Sequence, residues 1–184
     1  MRRRTLLGWG LGLAAAFGAA GQPAVASGSA AGFSFAGIDG AEIALADFAG
    51  RPVLVVNTAS RCGFVNQFGG LQAVYDRYRG RGLTVIGVPS NSSRQELATE
   101  AAVKDFCEVN FAIDFPIAQI TDVTGAAAHH PFYAWARAQG AGPRWNFHKI
   151  LLDGEGRIVG AYGAMTAPDA PKVIAAIEAL LPAG

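Results

Sequence analysis

Two cysteines, Cys62 and Cys107, carry all the thiols of this 184-residue chain. Cys62 sits between Arg61 and Gly63, after the apolar run Val53-Leu54-Val55-Val56-Asn57 and ahead of a helical pattern. A neighbouring cation and a helix N-terminus both favour thiolate over thiol, and the thiolate is the nucleophilic form. A cysteine in such a place is equally at home as a small buried hydrophobe, or as half of a structural disulfide in an exported protein. The local residues leave these readings open. Cys107 shares one face of a second helical pattern with Val103 and Phe106, where inert core is again an alternative to chemistry. Trp145, Asn146 and Gln95 are donors of the kind that stabilise developing negative charge, although singly each is as well read as core or turn. The three histidines, His129, His130 and His148, lack carboxylate or thiolate at ligand spacing, so neither metal nor cofactor is expected.

The elements that must position these residues can be read from periodicity. Phe33–Leu45 reads as a short strand pair turning at Asp39-Gly40, and Val53–Asn57 as a central buried strand. Leu71, Val74, Tyr75 and Tyr78 fall at i, i+3, i+4 and i+7, a helix that Gly80 and Gly82 end. Leu83–Val88 is a second buried strand, Val103–Cys107 marks a second helix, and Phe115–Ile120 is a third strand candidate. Pro131 suits the first turn of a helix carrying Phe132, Tyr133 and Trp135, with His129 and His130 as its cap. Ile150–Leu152 and Ile158–Tyr162 flank the hairpin signal Asp153-Gly154-Glu155-Gly156, and a last helix near Asp169 buries Val173, Ile174, Ile177, Leu180 and Leu181. The order βαβαβαββα predicts an α/β fold, with a mixed central sheet and helices on both faces. Its late hairpin and closing helix resemble the thioredoxin-like arrangement, which puts Cys62 at the end of the first core strand.

Residues 1–26 carry Arg2-Arg3-Arg4, a glycine-softened apolar run and Ala24-Val25-Ala26 before Ser27. This pattern predicts an export signal of twin-arginine or Sec type, a periplasmic destination and no stable membrane anchor. It leaves a domain over 27–184 with 12 basic and 14 acidic groups, net −2, which offers no basic stripe to nucleic acid.

Three segments then match one family in register. Asn57-Thr58-Ala59-Ser60-Arg61-Cys62-Gly63 resembles the N-x-A-S-x-C-G signature of glutathione peroxidases. Trp145-Asn146-Phe147-His148-Lys149 resembles their W-N-F-x-K motif, and Val88-Pro89-Ser90-Asn91 with Gln95-Glu96 resembles their F-P-C-N segment and Q-E pair. The resemblance covers about Phe33 to Leu181. It implies a thiol peroxidase with a catalytic tetrad of Cys62, Gln95, Trp145 and Asn146, acting on hydrogen peroxide and organic hydroperoxides. Phe106-Cys107-Glu108 resembles the segment holding the resolving cysteine of thioredoxin-dependent members. A thioredoxin-like protein or glutathione is therefore the implied reductant. The middle segment departs from the pattern: it is one residue shorter, Leu97-Ala98 replaces Pro-Gly, and Ser90 stands where a cysteine is common. The short stretch from Phe132 to Trp145 lacks the inserted loop of assembling members, which implies a monomer.

Overall fold

A computed structural model describes residues 28–124 and 130–182. The predicted export signal lies outside the described residues, as does His129. The chain starts with a hairpin, β1 (Ser34–Ala36) against β2 (Glu42–Ala44), whose turn uses Gly40 at φ 86°. The main elements come in the order β3 (Val53–Thr58), α1 (Gln67–Tyr78), β4 (Thr84–Pro89), α2 (Glu100–Phe111), α3 (Pro131–Ala138), β5 (Lys149–Leu152), β6 (Ile158–Tyr162) and α4 (Pro171–Glu178).

The four-stranded sheet has the order β4-β3-β5-β6, with β3 parallel to β4 and antiparallel to β5. Every residue of β3 and β4 is buried, which is why both read as continuous apolar runs rather than alternating ones. Alternation shows in where they point. Leu54 and Val56 face α1, α2 and α4 through Phe68, Leu71, Val103, Val173 and Ile177. Val53 and Val55 face α3 and the hairpin through Phe132, Tyr133 and Phe35. This is the expected thioredoxin-like α/β architecture, with a mixed sheet covered on both faces.

The third strand candidate is corrected. Phe115–Ile120 forms no strand and contributes only two isolated bridges, Gly87↔Ile117 and Gly37↔Ala118. Pro116 has no N–H to give to a ladder. The segment instead runs between β4 and the hairpin, taking Gly87 N–H at 2.9 Å on the Pro116 carbonyl and Ile38 N–H at 2.8 Å on the Ile117 carbonyl. The last helix starts at Pro171, slightly later than expected, and fully buries Val173 and Ile177 while Ile174 and Leu180 are half-buried.

Local chemistry fixes the helix ends. The Thr99 hydroxyl accepts Ala102 N–H at 3.2 Å to cap α2, which ends on Ala112 in the left-handed region at φ 50°. Pro131 begins α3 as predicted. His130 caps it: Nδ1 accepts Phe132 N–H at 3.3 Å while Nε2 lies 2.8 Å from the Ser34 carbonyl. These two contacts select the neutral tautomer with the proton on Nε2.

Candidate active site

The strand β3 ends in Asn57-Thr58, and Asn57 organises the 145–148 segment beside it. Its backbone carbonyl accepts Phe147 N–H at 2.6 Å, and its side-chain amide donates to the Trp145 carbonyl at 3.1 Å and accepts His148 N–H at 3.1 Å. One buried residue thus holds Trp145, Phe147 and His148 by their backbone. Phe147 takes φ 58°, a left-handed conformation that costs a bulky residue about 1–3 kcal/mol unless its surroundings enforce it. The Asn57 contacts and the burial of the Phe147 ring against Phe68, at 5.3 Å between centroids, do so. The reversal sends successive side chains opposite ways: Asn146 is buried, while Trp145 stays 48% exposed.

Gln95 joins the two remaining segments. Its backbone carbonyl accepts Arg61 N–H at 2.8 Å, and its side-chain oxygen accepts from the Asn146 amide at 2.9 Å. The short middle loop therefore still delivers Gln95 to Asn146 on one side and to the Cys62 loop on the other. Arg94 absorbs the bend, at φ 56°. Ser90, in place of the common cysteine, is buried and bonds Ser92 at 3.0 Å.

Cys62 itself is a free, buried thiol in the turns between β3 and α1, with its N–H on the Ala59 carbonyl at 3.3 Å and its carbonyl taking Val65 N–H at 3.0 Å. Cys107 is also free and fully buried, on the same apolar layer as Cys62. Burial, with the nearby Glu96 and Glu108 carboxylates adding to it, pushes the Cys107 thiol up to about 12. With α2 closed it is a neutral thiol, unsuited to attack.

Three further residues support the site, two of them, Glu96 and Lys149, inside the matched motifs. Glu96 is buried, and its Oε1 accepts both Ser60 N–H at 3.0 Å and Leu97 N–H at 2.8 Å, so it props the loop two residues ahead of Cys62. Lys149 is fully buried; Nζ donates to the Phe147 carbonyl at 2.8 Å, to the Thr166 carbonyl at 2.7 Å and to Gln67 Oε1. Burial lowers its ammonium to about 8. Gln67, in the first turn of α1, also donates to the Ala164 carbonyl at 2.7 Å. Lys149 and Gln67 thus tie the 145–149 segment, the start of α1 and the 163–167 loop together. A cation opening the apolar strand Lys149-Ile150-Leu151-Leu152 was the available signal for a buried charge. His148 is half-buried, its Nε2 at 3.0 Å from the Ala141 carbonyl, in keeping with a packing role.

The glutathione peroxidase family profile matches residues 31–137, more than half of the chain. The chain belongs to the glutathione peroxidase family. A relative in Synechocystis, named hydroperoxy fatty acid reductase, is 40% identical over 162 residues, covering 82% of this chain and 94% of that protein. A Bacillus subtilis relative, named a glutathione peroxidase homolog, is 41% identical over 137 residues, covering 71% and 86%. Among solved structures, GPX1 of T. cruzi superposes with a TM-score of 0.64 at 28% identity, covering 83% of this chain and 94% of that one. The segments that carry Cys62, Gln95 and Asn146 are joined beyond the end of β3 through Gln95.

Proposed function

We propose that the protein reduces hydroperoxides with Cys62 as the attacking thiol, and that Gln95, Trp145 and Asn146 supply the donors around it. The observation that carries this reading is the Asn146–Gln95 bond at 2.9 Å combined with Arg61 N–H on the Gln95 carbonyl at 2.8 Å. With its oxygen occupied by Asn146, the Gln95 amide has its N–H groups left to donate. The Cys62 thiolate attacks the terminal peroxide oxygen, the O–O bond breaks, and the departing alkoxide or hydroxide takes a proton to leave as alcohol or water. Cys62 is left as sulfenic acid, oxidised by two electrons. Donors fixed in place stabilise the charge as it passes from sulfur to the leaving oxygen.

The second half of the cycle assigns Cys107 as the resolving thiol. Cys107 displaces hydroxide from the Cys62 sulfenic acid, forming a disulfide and water, and a thioredoxin-like dithiol reduces that disulfide by exchange. Because Cys107 is enclosed in α2, this step requires α2 to open locally. Export to the periplasm by residues 1–26, and a monomeric state, complete the proposal. Among the described residues no helix is long and apolar enough to cross a membrane.

Thiol titration before and after one equivalent of hydrogen peroxide tests the first step; rapid stoichiometric loss at Cys62 is expected. Cys62→Ser abolishes turnover with the fold retained, and near-normal turnover in that variant refutes the mechanism. Cys107→Ser retains the first attack, accumulates sulfenic or over-oxidised Cys62 and loses thioredoxin-dependent turnover. Full thioredoxin-dependent activity in Cys107→Ser would move resolution to glutathione or another small thiol.

A further inference from the structure

The loop from Ser90 to Thr99 contains one acid, Glu96. Loop carboxylates ordinarily stand in water, yet this one is only 4% exposed. Burying a carboxylate is unfavourable unless hydrogen bonds meet its lone pairs. Here one oxygen is served and the other is not. Oε1 accepts Ser60 N–H at 3.0 Å and Leu97 N–H at 2.8 Å, while Oε2 is buried without a partner among the described residues. The Ser60 hydroxyl is likewise buried and unpartnered. Holding the two N–H groups takes a single carbonyl oxygen, which a glutamine would supply with no charge to bury. Propping the loop therefore explains Oε1 and leaves Oε2 unexplained.

Position suggests its use. Glu96 grips Ser60, two residues ahead of Cys62, and the chain reaches the Thr99 cap of α2 three residues further on. Its neighbour Leu97 packs against the apolar layer that contains both Cys62 and Cys107. Two carboxylates bear on the Cys107 thiol, and Glu96 does so more strongly than Glu108 on the exposed face of α2. One buried carboxylate thus adjoins the loop of one thiol and the layer of the other.

The resolving step needs a proton moved between those two thiols. Cys107 is a neutral thiol and must lose its proton to become nucleophilic. The oxygen on the Cys62 sulfenic acid must gain one, since it leaves far more readily as water than as hydroxide. A carboxylate with a spare oxygen can take the first proton and deliver it to the second site.

We infer that Glu96 is the proton carrier of the resolving step, acting through Oε2 once α2 has opened. Glu96 takes the Cys107 proton as the Cys107 sulfur bonds to the Cys62 sulfur. The Cys62 S–O bond breaks, and its oxygen keeps the bonding pair, receives the proton from Glu96 and departs as water. The carboxylate is regenerated, and the two sulfurs share the oxidation as a disulfide. This rests on the reading of Cys62 as peroxidatic and Cys107 as resolving, and adds the acid–base group which that reading lacks.

Glu96→Gln tests the inference, because the amide oxygen can still accept from Ser60 and Leu97 but carries no proton between sulfurs. Rapid-quench mass spectrometry of a single hydrogen peroxide turnover reads sulfenic acid formation and disulfide formation separately. Disulfide formation is expected to slow about a hundredfold more than sulfenic acid formation, within the range of general acid–base catalysis. Imidazole buffer at constant pH and ionic strength should restore the slow step of Glu96→Gln in proportion to its concentration, and leave wild type unaffected. Equal slowing of both steps, or a loss that imidazole does not reverse, overturns the inference and leaves Glu96 a loop prop. Alkylation of Cys107 in the reduced proteins reads the opening of α2; a fall there matching the fall in disulfide formation overturns it as well. A peroxide-treated wild type that forms sulfenic acid but no Cys62–Cys107 disulfide overturns the inference together with the resolving role of Cys107.

Discussion

Trp145 shows how a residue is aimed by contacts that are not its own. Its indole stands half in solvent while the backbone behind it is held by Asn57 and, through the Phe147 carbonyl, by Lys149. Trp145→Phe keeps the ring and deletes the donor. A slowing of Cys62 oxidation by about tenfold or more is expected, below the effect of a fully enclosed oxyanion donor, with the thermal midpoint nearly unchanged. Unaltered second-order kinetics would remove Trp145 from the reaction. Lys149→Met keeps the length of the stem and withdraws three donors, stranding the Phe147 and Thr166 carbonyls. Cys62 oxidation should slow while thioredoxin reduction of the preformed disulfide keeps its rate; equal loss in both steps would make Lys149 merely structural. None of this reach was legible in the sequence. Asn57 and Glu96 act on backbone far from them in the chain, Glu96 across 36 positions and Asn57 across 91, and such a reach leaves no local period. The motif residues were legible because their spacing matches a family pattern, which tells where they are and not what holds them.

Helix α2 carries the kinetic burden of the proposed cycle, since Cys107 must leave its layer before it can meet Cys62. Thr99→Ala removes the hydroxyl cap and destabilises the helix by about 1 kcal/mol. If opening limits disulfide formation, that loss accelerates the resolving step about fivefold without affecting the peroxide step. Rapid-quench mass spectrometry reads the two separately, and an unchanged resolving rate would decouple opening from chemistry. Helix α3 gives a pH dependence. Burial lowers the folded-state pKa of His130, and likewise of His148, below the ordinary 6.5. Their contribution is therefore present above 6.5 and is lost as pH falls below it, where the unfolded chain binds protons that the folded one refuses. Protonation at His130 Nδ1 also turns the cap's acceptor into a donor facing Phe132 N–H. Denaturant midpoints should fall as pH drops below about 6.5, less steeply in a His130→Asn/His148→Asn double variant; a flat wild-type profile would count against this origin. At this scale the sequence read well wherever an element buries one clear face. It failed at Phe115–Ile120, where an apolar run looked like a strand but Pro116 and contacts on both sides made a bridge-forming loop.

Across the whole molecule, the sheet divides the interior into two layers, and both cysteines lie in the one formed by α1, α2 and α4. The other layer, built from α3, the hairpin and the far faces of β3 and β4, contains neither. Hydrogen exchange on the peroxide-oxidised form should show lost protection in α2 and the turns around Cys62, while α3 keeps its reduced-state protection. Loss on both sides would mean that the sheet transmits the change. Under the proposed cycle, the arrangement gives the protein a redox-blind side and a redox-reporting side. A partner gripping the α3 surface would hold oxidised and reduced forms with equal affinity. One resting on α2 would tell them apart, released or recruited by the opening that the proposed cycle requires.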